Sequence, residues 1–163
     1  MLLPSRSEWQ HARRTNNDLT GIESGTTVLR TTLSIDDSLE INDLIAAHGH
    51  LMDAGELDRM DELFTPDVVY DLTELGFGEL RGITALREAA LALGDANPVG
   101  HHITNVLITQ NDAGTVGVRS KGIGISADGG CGSVTYEDVV VRESAGWRIS
   151  YRKVVPRRAP LGG

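Results

Sequence analysis

Cysteine is almost missing from this chain. Its one example, Cys131, lies in the glycine-rich stretch DGGCGS. No internal disulfide can form, and such cysteine usage fits a reducing cytoplasm. Positive charge is also scarce, with 15 Lys and Arg against 23 Asp and Glu and a formal net charge of -8. That balance argues against a nucleic-acid binder, which gains affinity by setting many cations against phosphates. No apolar run approaches the roughly 18 residues of a membrane span. The opening MLLPSRSEWQHARR turns polar too soon for a secretory signal. There is no internal repeat, no coiled coil and no cluster of side chains with metal-ligand spacing, so neither a metal nor another cofactor is expected.

What is present is enough for one domain of 163 residues. Residues 1–35 show no sustained period and read as a flexible N-terminal extension, 36–156 as the folded domain, and 157–163 as a C-terminal tail. From Ser34 the pattern changes. Ser34, Asp36 and Asp37 are cap-type residues, and Ile41, Leu44, Ile45, His48 and Met52 follow at spacings of three and four, which predicts an amphipathic helix with His48 inside its apolar stripe. Gly55 breaks it; Leu57, Met60, Leu63 and Phe64 suggest a second, shorter helix ended by Pro66. DVVYDL then reads as a strand, GFGELRG as a loop, and ITALREAALALG as a third helix. After Gly100 four β-branched segments alternate with turn signals. Helices first and a strand meander last specify an α+β fold, with helices on one face of a curved antiparallel sheet.

Within the first of those late strands, GHHITNV places two imidazoles side by side. Successive strand residues point to opposite faces, so only one of His101 and His102 can enter a given cavity. The last strand alternates Trp147, Ile149, Tyr151 and Lys153 with Arg148, Ser150, Arg152 and Val154, and neither set is plainly a solvent face. A sheet apolar on both sides predicts a homo-oligomer, a dimer or trimer.

The order INDLIAAHGHLMDAGELDRMDELFTPDVVYDL, then GHHITNV, then YEDVVVRESAGWRISYRKV resembles the SnoaL-like branch of the nuclear-transport-factor-2-like superfamily over residues 37–155. The resemblance implies a cone-shaped curved sheet wrapped around N-terminal helices and enclosing a pocket. Its dehydratase and dehydrochlorinase members pair an aspartate near the end of the first helix with a histidine at the start of the strand after the third helix. The matching residues here are Asp53 and His101, which makes His101 the imidazole that faces the pocket. Arg152, five residues after Trp147, matches an arginine of the dehydrochlorinase type, and His48 stands where that type carries a pocket lysine. Met52 and Leu72 replace tyrosines that the dehydratase type uses, so the groups that select a substrate depart from the pattern.

A neutral imidazole takes up a proton near pH 7, and a carboxylate on its other nitrogen fixes the tautomer and stabilises the imidazolium that forms. The expectation is therefore a cofactor-independent acid–base enzyme, of dehydratase, isomerase or cyclase type, with His101 and Asp53 catalytic. Arg152, His48, Asn105, Met52, Tyr70 and Asp138 are expected to line the site of a small hydrophobic, cyclic or polyketide-like substrate. Asn105 enters through sharing His101's strand parity. Two alternatives stay open at this point: a non-catalytic binding or assembly subunit on the same fold, and an epoxide-opening hydrolase or cyclase.

Overall fold

The computed structural model describes residues 33–159. Residues 1–32 and 160–163, and with them most of the expected extension and tail, lie outside the described residues. Helix α1 spans Ile35–Asp53 and opens on the capping box that its sequence promises: Ser34 accepts the Asp37 amide, and the Asp37 carboxylate accepts the Ser34 amide. Its stripe of Ile41, Leu44, Ile45, His48 and Leu51 is buried. Burying each aliphatic side chain stabilises by about 1.5–3 kcal/mol.

Leu57–Glu62 forms a 3-10 segment, β1 covers Phe64–Leu72, β2 Gly78–Arg81, and helix α2 Ile83–Leu93. The remaining strands are β3 (Gly100–Gln110), β4 (Val116–Ile125), β5 (Cys131–Glu143) and β6 (Gly146–Pro156). Together they make one six-stranded curved, unclosed sheet in the order β2-β1-β6-β5-β4-β3. This is the α+β architecture that the pattern of elements predicts, with the curved sheet that the resemblance implies. Neighbours are antiparallel except β1 and β6, which run parallel.

Local readings differ from the sequence expectation in three places. Phe64 begins β1 and does not end a helix, because its ring packs beneath the helical layer in the core. GELR, expected within a loop, pairs with β1 as β2, with Tyr70 opposite Leu80. In β6 a register shift leaves Ser150 unpaired between Ile149, opposite Val140, and Tyr151, opposite Val139. One extra residue reverses the alternation. Ile149 on one side of the bulge, and Arg152 and Val154 on the other, are all buried, so β6 has a single core face after all.

Helix α1 is fastened at both ends by aspartates. At its N-terminus Asp37 takes the Trp147 indole N–H at 3.1 Å and pairs with Arg142. At its C-terminus Asp53 reaches β3.

Candidate functional site

Asp53 is the last residue of α1, and Gly55 at φ 69° turns the chain away just beyond it. Gly49, four residues earlier, lies on the same helix face. It lets the helix rest against β3: a Cβ at Gly49 would lie less than 3.0 Å from the His101 carbonyl oxygen, closer than real Cβ atoms come. The approach delivers the Asp53 carboxylate to the start of β3. There the His101 amide donates to both carboxylate oxygens, at 2.9 and 3.0 Å, and His101 Nδ1 lies 2.7 Å from Oδ1.

Burial pulls the Asp53 carboxyl upward, but the hydrogen bonds from the His101 ring and backbone, aided by the positive potential of His101 and His102, outweigh it and hold the group below its ordinary value. An ionised carboxylate only accepts, so Nδ1 carries the hydrogen. In the neutral ring Nε2 is then the basic nitrogen, with no hydrogen-bond partner among the described residues. His102 is exposed on the opposite side of the strand.

Behind His101 lies a buried polar group. The His48 ring meets His101 edge-on at 5.9 Å, and it also contacts Tyr136 at 5.9 Å and Phe64 at 6.1 Å. Burial, with the nearby charges of Arg152 and His101, holds the His48 pKa well below the usual histidine range, so the ring is neutral at pH 7. Asp138 and Arg152 stand directly opposite on β5 and β6 and form a bidentate pair at 2.8 and 2.7 Å, both side chains fully buried. The guanidinium lies 4.4 Å from the Tyr136 ring centre and 6.0 Å from that of Tyr70. Burial raises the pKa of both tyrosines, so both stay protonated. Among the described residues, His48 Nδ1, Thr65 Oγ1 and Ser120 Oγ are buried without a hydrogen-bond partner.

In front of the dyad opens a cleft of about 670 Å³, lined by Asp53 and His101 and walled by Met52, Leu57, Leu91 and Val99. Asp95, from the turn after α2, lies on its rim.

Of the residues expected at the site, Asp53 and His101 meet at the cleft, Met52 lines it, and His48, Tyr70, Asp138 and Arg152 gather behind. Asn105 does not join them. Thr104 pairs with Lys121 and Leu107 with Arg119, so Asn105 and Val106 face a single residue of β4 in a bulge. Asn105 takes φ 53° there and is exposed. The left-handed conformation is one that asparagine tolerates better than most residues. Alternation therefore cannot be carried from His101 to Asn105; Ile103, Val106 and Ile108 are the β3 residues packed against the core. Sequence reasoning missed Gly49 and Asp95. The lone glycine in HGH, inside an otherwise helical pattern, was a signal of close packing; Asp95 had none.

A family model described as the SnoaL-like domain matches residues 33–153. No curated protein matches the chain. Among solved structures, a candidate aromatic ring hydroxylase from Novosphingobium aromaticivorans is 27% identical, with TM-score 0.64, covering 78% of this chain and 94% of that one. Rv3472, a Mycobacterium tuberculosis protein of unknown function, is 26% identical with TM-score 0.66, covering 76% and 73%. A nuclear-transport-factor-2-like protein with a cystatin-like fold, also from N. aromaticivorans, is 25% identical with TM-score 0.63, covering 77% and 85%.

Proposed function

Since the chain belongs to the SnoaL-like domain family, we propose that it is an acid–base enzyme in which His101 Nε2 abstracts a proton from a small hydrophobic, cyclic substrate held in the cleft. The observation that carries this reading is the 2.7 Å contact between His101 Nδ1 and Asp53. It orients the ring, fixes the tautomer and stabilises the imidazolium produced by proton transfer. Positioned acid–base help of this kind is worth about 10²–10⁴-fold. Elimination, isomerisation and ring closure all begin with such a step. Arg152 and His48 stand behind the dyad, buried and outside the cleft lining, so they support it from the interior and do not meet the substrate. Exposed Leu107 and Ile123, on the side of the sheet facing away from α1, are in keeping with a homo-oligomer.

Proton abstraction can be tested before the natural substrate is known. In D₂O, 2-tetralone exchanges its α-protons, and NMR follows the loss of signal. The parent chain should accelerate exchange over buffer, and His101→Ala should remove about 10²-fold or more of that acceleration. Equal rates for parent and His101→Ala would end the proposal. A ligand-binding subunit without turnover is the competing reading, favoured by the interior, which His48, Tyr136 and the Arg152–Asp138 pair occupy. It predicts ligand binding with no exchange above buffer.

A further inference from the structure

Resting on the cleft in that reading as the binding site, we infer that its ligand is an uncharged molecule bearing a neutral oxygen, and that Asp95 makes the cleft reject anions. Among the described residues, His101 is the one side chain of the cleft able to carry positive charge, and Asp53 already faces it. Among the described residues no Lys or Arg lines the cleft; the charged ones there are Asp53 and Asp95, beside His101. The nearest buried cation, Arg152, is neutralised by Asp138 through two hydrogen bonds and is wholly shielded from solvent. An anion entering would meet two carboxylates and no free counter-charge.

The free polar atom of the cleft is His101 Nε2, which has no hydrogen-bond partner among the described residues and accepts in the neutral ring. The oxygen it suits is a hydroxyl, which donates, and not a carboxylate. The walls of Met52, Leu57, Leu91 and Val99 fit the apolar body of such a molecule.

A matched pair of probes tests this. The full chain is titrated with 2-naphthol and with 2-naphthoate at pH 7, with binding followed by calorimetry and by the His101 and Val99 NMR signals. The alcohol should bind with those signals shifting, and the acid should bind at least tenfold more weakly at low salt. Asp95→Asn should tighten naphthoate by about fivefold and leave naphthol unchanged, and added salt should shrink that gain, as expected of a solvent-exposed charge. Naphthoate binding as tightly as naphthol, an Asp95→Asn variant that does not favour it, or no binding of either probe would each overturn the inference. Selective naphthol binding by a chain whose His101→Ala variant exchanges 2-tetralone protons at the parent rate would instead sink the acid–base reading and leave this one standing.

Discussion

The substitution Gly49→Ala sets two principles against each other with opposite signs. In a helix interior alanine is favoured over glycine by about 1 kcal/mol, so local propensity predicts a more stable protein. The structure predicts the reverse. The added Cβ would fall inside 3.0 Å of the His101 carbonyl oxygen, whereas ordinary contact starts at 3.4 Å, and the obstacle is backbone that cannot rotate away. Helix and strand must part by roughly 1 Å, at the usual overpacking cost of about 1–3 kcal/mol. Asp53 sits one turn further along the same face, so the separation carries its contacts of 2.7, 2.9 and 3.0 Å beyond the ~3.5 Å at which a hydrogen bond ends. Hydrogen bonds to a charged group contribute about 1.5–3 kcal/mol, and these, partly open to solvent, count at the low end. The net expectation is a loss of about 2 kcal/mol in urea denaturation, together with loss of the Nδ1–H tautomer signature of His101 in ¹⁵N NMR. A variant as stable as the parent, with the tautomer intact, would refute the claim that Gly49 sets the dyad's geometry.

Two further outcomes follow from the buried groups. His48 stays neutral when folded but takes a proton near its ordinary pKa of about 6.5 when unfolded. Below that pH the unfolded chain binds the extra proton, so stability falls with acidification by about 1.4 kcal/mol per pH unit until the depressed folded value is reached. His48→Met should remove that component of the slope in denaturation curves from pH 7 to 5, and parallel slopes for the two proteins would disprove it. Asp138→Asn should cost about 3–5 kcal/mol by stranding the Arg152 charge, while the double change Asp138→Leu with Arg152→Met should cost much less. A single variant within 1 kcal/mol of the parent by urea denaturation would show that the pair is not the buried unit described.

Of the candidate site, His48 was legible from local pattern, and the pairing of Asp53 with His101 only through the family resemblance. His48 declares itself by its place in the apolar stripe of α1, and the helix stop at Gly55 with the strand start at Gly100 marks the two ends that Asp53 and His101 occupy. What escaped were the places where one residue is added to a strand. Alternation predicts faces only while the register holds, and nothing in ITNVL or RISYR announces that Asn105 or Ser150 will be left unpaired. The first bulge takes Asn105 out of the site, and the second makes sense of a strand that otherwise looks two-faced. The parallel pairing of β1 with β6 is a long-range choice that no local pattern states. Phe64 shows the remaining weakness: a short apolar run fits a helix end or a buried strand equally until its packing partners are known.

Strand β3 is the last in the sheet, and its outer edge pairs with no further strand among the described residues. At His101 the outward amide is already taken, by both oxygens of Asp53. An intruding strand would have to evict that carboxylate to pair there, and eviction would also release the imidazole. The same side chain thus guards the chain against stacking on its own kind and keeps the base aligned. A copy that paired at the His101 end of this edge would lose its aligned histidine.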